Sequence, residues 1–352
     1  MASTVPTVGH VRAAAGLGLR IALPGVRLGD VVSVQRRGEP LLAEVVALGE
    51  GEATAIPMSA PLGVGPEDVV TSTGGPLRVG VGRALLGRVL DGLGRPLDGK
   101  PLPAGLPLRA ADSPPPPALS RPPIDAHLPT GMRALDATVP LGRGQRIGLM
   151  AGSGVGKSTL LASLARGTTA DAVVVALVGE RGREVREFLE LTLGESARQR
   201  CITVVATSDA SAVERLRAAQ VATTYAEALR DEGLDVLLLV DSVTRVARAQ
   251  REVGLAAGEP PARRGYPPSV FALLPRLLER AGRTERGSIT GIYTVLVEGG
   301  DLDEPIADEV RGILDGHVVL TRKLAERGWY PAIDVVQSLS RVAPQVVPEP
   351  VM

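Results

Sequence analysis

The spacing of apolar positions changes character part way along the chain. Up to about residue 85 the apolar residues come in short runs, at residues 19–23, 31–34 and 41–46, with further pieces at 55–58 and 69–70. Pro-Gly, Gly-Asp and Arg-Gly turn signals separate them, and many short strands at close spacing predict a small β-barrel. Residues 85–99 read as a strand followed by a turn. From about residue 131 the runs lengthen. Residues 172–178, 202–207 and 236–240 are continuous and rich in β-branched side chains, the pattern of parallel strands covered on both faces, and residues 289–297 and 318–320 extend the set. Residues 211–230 have helical spacing, with capping residues available at Asp209 and Ser211. Helices are also predicted over 268–281 and 306–314. Strand alternating with helix predicts a doubly wound, mostly parallel α/β domain.

Proline divides the two patterns. Asp112-Ser113-Pro114-Pro115-Pro116-Pro117 and Arg121-Pro122-Pro123 exclude helix and central strand, because proline fixes φ and has no amide hydrogen. The predicted organisation is an N-terminal β-barrel domain over residues 1–100, a proline-rich linker over 101–130 and an α/β domain over 131–345.

Composition narrows the possibilities. A chain of 352 residues with 44% hydrophobic and 22% charged residues can bury a sizeable core. The formal net charge of zero argues against a nucleic-acid partner. The one cysteine, Cys201, lies beside an apolar run and reads as a core residue. His10, His127 and His317 show no metal spacing. No apolar run is long enough to cross a bilayer and no signal-type start is present, which predicts a cytoplasmic protein.

The chemistry centres on Ala151-Gly152-Ser153-Gly154-Val155-Gly156-Lys157-Ser158-Thr159. This stretch follows the apolar run 147–150 and precedes the helix-like run 160–166. Strand, glycine-rich loop and helix form the context of a phosphate-binding P-loop. The glycines let backbone N–H groups turn inward, and the helix adds its positive end. Gly152, Ser153, Gly154, Val155, Gly156, Lys157, Ser158 and Thr159 are therefore the predicted triphosphate cradle. Lys157 would supply a cation to the β- and γ-phosphates, and Ser158 a hydroxyl to Mg²⁺. Asp241 ends the run 236–240. A carboxylate there can share the metal shell or cap the following helix; with a P-loop in the same domain, the metal role is preferred. Glu180 and Arg181 follow the run 172–178 in the same way. A strand-end Glu can orient and polarise a water, and an adjacent Arg can stabilise γ-phosphate charge; a surface ion pair opening a helix is the other reading.

Further segments give the pattern a family resemblance. They are Pro129-Thr130-Gly131-Met132-Arg133-Ala134-Leu135-Asp136, Gly179-Glu180-Arg181, Asp241-Ser242-Val243-Thr244-Arg245, the run from Gly258 through Arg263-Arg264-Gly265-Tyr266-Pro267-Pro268 to Phe271, Tyr293-Thr294-Val295-Leu296-Val297-Glu298-Gly299, and Tyr330-Pro331-Ala332-Ile333-Asp334. With the P-loop, these make the chain resemble the hexameric rotary-type ATPases, and within them the ATPases of type III protein secretion and flagellar export. The resemblance runs from about residue 15 to residue 343. It implies a RecA-like P-loop domain and hydrolysis of ATP with Mg²⁺. Glu180 stands where the catalytic subunits of that family keep their water-activating carboxylate. Arg181 and Arg245 stand near the phosphates, Tyr330 where adenine stacks, and Arg341 where an arginine finger reaches the neighbouring subunit's site.

The same resemblance implies a homo-hexamer at the inner face of the bacterial inner membrane. Its expected partners are a central stalk protein, met by the loop carrying Arg263 and Arg264, a peripheral stator protein, secretion chaperones and exported proteins. Gly300 and Val246 depart from the family pattern outside the inferred chemistry. The sequence ends at Met352, where the resembling proteins continue into a helical C-terminal domain. The functional expectation is an ATPase that energises type III secretion by releasing chaperone–substrate complexes. The alternatives are a flagellar export ATPase, a catalytic subunit of an ATP synthase or vacuolar-type ATPase, and a shortened structural subunit with little turnover.

Overall fold

A computed structural model describes residues 7–347 of the chain. Six strands close into the expected barrel: β1 (Val8–Ala15), β2 (Gly18–Ala22), β3 (Val31–Val34), β4 (Leu41–Leu48), β5 (Ala53–Pro57) and β6 (Val69–Gly75), in the order β1-β2-β5-β4-β3-β6 with β6 returning to β1. Alternate residues fill the interior, among them Val11, Leu19, Ile21, Val32, Val34 and Leu41. The first strand, Val8–Ala15, is absent from the sequence reading. Its Gly9 and Ala13–Ala15 dilute the apolar signal, and only pairing with β2 and β6 makes it a strand.

Past the barrel come β7 (Arg78–Gly80), β8 (Val89–Asp91) and β9 (Leu108–Ala110). The expected barrel domain of residues 1–100 divides differently. The barrel closes by Gly75, and β8 hydrogen-bonds to a strand of the large sheet. Within the linker, β9 pairs with β7 alone, an edge pairing that leaves the prolines outside the ladder.

The large sheet adds β10 (Arg146–Ala151), β11 (Ala172–Glu180), β12 (Cys201–Thr207), β13 (Asp235–Asp241), β14 (Gly282–Arg283), β15 (Ser288–Leu296), β16 (Gly316–Leu320) and β17 (Ile333–Ser340). Its order is β17-β16-β10-β15-β13-β11-β12-β8, parallel except for β17 at one edge and the short β14 beside β15. Helices cover both faces: α1 (Arg133–Thr138), α2 (Lys157–Gly167), α3 (Gly182–Glu187), α4 (Glu195–Gln199), α5 (Ala212–Asp231), α6 (Val243–Ala256), α7 (Pro268–Leu278), α8 (Pro305–Ile313), α9 (Arg322–Glu326) and α10 (Ala343–Val346).

Continuous apolar strands are required because the sheet has no wet face. Along β11, Ala172, Val174, Ala176 and Val178 join the core under α5, while Val173, Val175 and Leu177 join the core under α2. This is the period-two alternation of a pleated strand with both sides buried.

Helix α5 starts where expected, with Ser211 accepting the Glu214 amide at 3.1 Å as its cap. It is buried along most of its length, so its polar residues need internal partners. Arg217 forms a buried ion pair with Glu44 of barrel strand β4 and donates to Gln220 at 2.6 Å. Glu227 takes both arms of the buried Arg280 at 2.9 and 2.8 Å, and Arg280 also donates to the linker carbonyl of Ala111 at 2.9 Å. Barrel, linker and α/β domain are thus tied to one helix by desolvated charges.

Removing one member of a buried pair strands the other, at a cost of about 3–5 kcal/mol. Glu44→Ala is therefore expected to lower the unfolding free energy by about that amount, read as a fall in the urea midpoint. Glu44→Met combined with Arg217→Leu should stay near the parent value. An unchanged midpoint in Glu44→Ala would show that the pair does not hold the barrel.

Candidate functional site

Five stretches meet at the carboxyl ends of the central parallel strands, the crevice where open α/β sheets bind ligands. Strand β10 leads into the loop 152–156, and α2 begins at Lys157. Gly154 and Gly156 have φ of +76° and +87°, which strain any side chain with a Cβ. A Cβ on Gly156 would also lie 3.3 Å from the Tyr330 ring.

Beneath the loop, the Lys157 ammonium lies between two carboxylates. Its Nζ is 3.3 Å from Glu180 Oε1, at the end of β11, and closer still to Asp241 Oδ1, at the end of β13. Thr294 of β15 donates to Asp241 Oδ1 at 2.7 Å. Arg245 of α6 pairs with Glu180 Oε1 and reaches the Val178 carbonyl at 3.4 Å. The structure therefore brings together Lys157, Glu180, Asp241 and Arg245, a charge-balanced group of two cations and two buried carboxylates. Burial pushes the Glu180 carboxyl up. The hydrogen bond from Arg245 and the charges of Lys157 and Arg245 outweigh it and leave the carboxyl below its usual range. Glu180 is thus held ionised at neutral pH, as an acceptor of protons must be.

The remaining predicted residues fall in three places. Ser153, Ser158 and Thr159 are exposed on the outer side of the loop and the first turn of α2, open to a ligand. Val155 is buried in the core under α2 and anchors the loop. Tyr330 is 62% exposed and, with Met132, Leu160 and Pro331, lines a recess of about 520 Å³ beside Gly154 and Gly156. A flat apolar recess beside a phosphate loop fits a base ring, and the Tyr330 ring offers it a stacking face.

Arg181 is not brought into the cluster. Its side chain is 82% exposed and pairs with Glu184 at 3.1 Å, the surface alternative. The cation against Glu180 is Arg245, contributed by another helix.

Arg341 lies at the opposite end of the sheet. It directly follows β17, and its amide donates to the Asp315 carbonyl at 2.9 Å, level with the foot of β10. The P-loop stands at the head of β10, roughly 17 Å away at about 3.3 Å per residue. Arg341 is exposed, and this geometry keeps it from the P-loop of its own chain.

Thr294 escaped the sequence reading as a site residue. Its only signal was a hydroxyl in an otherwise apolar central strand. The loop arginines are paired within the chain, Arg263 with Asp308 at 3.0 Å and Arg264 with Asp301 at 3.6 Å.

Comparison with known proteins agrees with this architecture. The family described as "ATP synthase alpha/beta family, nucleotide-binding domain" matches residues 131–340, and its β-barrel domain matches residues 22–74. The SPI-2 type 3 secretion system ATPase of Salmonella typhimurium is 55% identical over 92% of this chain and 74% of its own length. The flagellum-specific ATP synthase of Bacillus subtilis is 51% identical over 97% of this chain and 79% of its own. Among solved structures, the assembled ATPase EscN, in complex with its central stalk EscO, from the enteropathogenic E. coli type III secretion system superposes with a TM-score of 0.90. That match has 48% identity and covers 97% of this chain and 82% of the other.

A carboxyl that titrates below its usual range contributes stability at neutral pH, and that contribution is lost as the pH falls through its folded value. The difference in unfolding free energy between the parent and Glu180→Gln is expected to shrink as the pH is lowered below about 4.3. Chemical denaturation across that range reads it, and a difference that grew toward acid would contradict the ion-paired Glu180.

Proposed function

The chain belongs to the ATP synthase alpha/beta family, and from that premise we propose that it is an ATP-hydrolysing subunit that energises protein export through a type III secretion apparatus. The observation that carries the reading is the Lys157–Glu180–Asp241–Arg245 cluster directly beneath the P-loop.

In this reading the loop amides 152–156 and the α2 N-terminus hold the phosphates, and Lys157 exchanges its carboxylate partners for the β- and γ-phosphate oxygens. Glu180 orients the attacking water and takes its proton as the water oxygen bonds to the γ-phosphorus and the bond to the departing ADP breaks. Arg245 holds Glu180 in place and ionised. Ser158 and Asp241 are the groups that would hold Mg²⁺. Among the described residues no cluster of three or more His, Cys, Asp or Glu could bind a metal alone. A hydroxyl and one carboxylate suit an ion that keeps waters and phosphate oxygens in its shell. When bound, Mg²⁺ neutralises charge developing on the phosphate oxygens. Tyr330 stacks on adenine. Arg181, paired at the surface, carries no part of the step.

Arg341, remote from its own P-loop, acts on the next copy of the chain in a hexamer. No helix among the described residues is long and apolar enough to cross a membrane. The same proposal places the chain at the inner face of the membrane with protein partners: a central stalk received by the loop of Arg263 and Arg264, a stator, and chaperones bearing exported proteins. EscN was solved with its stalk EscO, which supports the stalk assignment. A flagellar export role is the second reading, carried by the 51% identity to the Bacillus subtilis relative. Copurification with flagellar rather than secretion-needle components would decide for it.

Lys157→Ala and Arg341→Ala are expected to lower kcat for Mg²⁺-dependent ATP hydrolysis by about 10³-fold or more, and Glu180→Gln by about 10²–10⁴. Specific activity should rise with protein concentration as rings form. Turnover that stayed flat with concentration and indifferent to all three changes would exclude the motor reading. Tyr330→Ala should weaken ATP binding by about 1–3 kcal/mol while leaving kcat nearly unchanged.

A further inference from the structure

Strand β10 has chemistry at both ends. Its head is the P-loop. Its foot, Gln145 and Arg146, grips the segment that carries Arg341. Gln145 is fully buried, an unusual setting for a primary amide, and all its polar contacts are specific. Its Oε1 accepts the Gly142 amide at 2.9 Å. Its Nε2 donates to Ser340 Oγ at 3.1 Å and to the Asp315 carbonyl at 3.3 Å. That same Asp315 carbonyl accepts the Arg341 amide at 2.9 Å. The Ser340 hydroxyl in turn donates to the Pro140 carbonyl at 2.8 Å. Arg146 completes the grip. Its backbone amide and guanidinium hold the Asp315 carboxylate at 3.0 to 3.2 Å, and its outer arm pairs with Glu279 just past α7. Glu279 in turn takes Arg121 of the linker at 2.9 Å.

We propose that Gln145 and the Arg146–Asp315 pair are positioning residues for Arg341, so that one strand carries the phosphate loop of its own site and sets the register of the arginine delivered to the neighbouring site. The inference rests on Arg341 acting in trans. Two neighbouring bonds, Arg341 amide to Asp315 carbonyl and Gln145 side-chain amide to Ser340 hydroxyl, fix the backbone leading into the residue that projects. Losing either lets the exposed side chain wander by a fraction of an ångström or more, and a misplacement of about 1 Å at a catalytic group costs about 10²-fold in rate. The anchors touch no ligand, so their loss should fall on the chemical step.

The test uses rings of the full chain. Gln145→Met keeps the volume and removes the amide; Asp315→Asn keeps the shape and removes the ion pair. Each is expected to lower kcat about 10- to 100-fold with KM for ATP changed less than about twofold. Mixed rings separate positioning from damage. A Lys157→Ala subunit has an inactive P-loop but an intact Arg341, so mixing it with Gln145→Met or Asp315→Asn subunits should restore turnover at their P-loops. Arg341→Ala mixed with Lys157→Ala is the control for action in trans. If that control recovers while the anchor variants turn over at the parent rate alone, the positioning role fails and the trans finger stands. If the anchor variants are slow and mixing does not rescue them, they damage their own site and the inference is overturned. If Arg341→Ala alone keeps full activity, the trans reading falls and takes the inference with it.

Discussion

A lysine at the start of a helix turns its ammonium in where water is scarce, and the large sheet supplies the carboxylates that meet it. Lys157 leaves α2 pointing under the loop, where only carboxylates at strand ends can meet it. Glu180 and Asp241 come from the ends of β11 and β13, adjacent parallel strands, with Asp241 opposite Leu177 and Glu180 three residues further on. Two carboxylates around one ammonium leave a net negative charge that must be matched. Arg245 from α6 supplies the second cation, set against Glu180. The geometry of the cluster and its charge balance are therefore the same fact, and neither survives a change in strand order.

The same logic recurs away from the site. Helix α5 is buried between the sheet and the barrel, yet carries Arg217, Glu227 and Arg230. Arg217 and Glu227 are tolerated because a partner arrives from elsewhere in the fold, Glu44 from the barrel and Arg280 from just past α7, while Arg230 pairs with the adjacent Asp231. Such pairs cost about as much to desolvate as they return, and they favour the one arrangement in which every charge is matched. They make the barrel, the linker and the α/β domain depend on one another, although the proline tract reads as a plain spacer.

Polarity along the sheet decides what the chain can do alone. The parallel strands place the phosphate loop, the carboxylates and Tyr330 at one end and Arg341 at the other. One copy holds the loop with its carboxylates at one end and, far from them, the exposed Arg341. Relatives of both secretion and flagellar kinds are 51–55% identical to this chain.

Local chemistry made much of this legible from the residues. The phosphate loop is a contiguous run whose glycines, lysine and serine have meaning only together. Glu180 and Asp241 stand out because a charge that closes a wholly apolar run marks the end of a buried strand. The barrel and the two-faced sheet follow from the length and alternation of apolar runs. What the residues could not reveal depends on partners distant in the chain. Whether Glu180 pairs with Arg181, its neighbour, or with Arg245 was settled by the packing of α6. Val89–Asp91 belongs to the large sheet because β12 lies open beside it. Thr294 reaches Asp241 only because β15 and β13 are neighbours. Gln145 meets Ser340 across 195 residues because β17 folds back antiparallel on β16. Sequence alone determined which residues carry charge or hydroxyl at strand ends, since burial and turn chemistry are local. Tertiary structure alone decided which of them face one another, since a buried charge takes whatever partner the packing delivers.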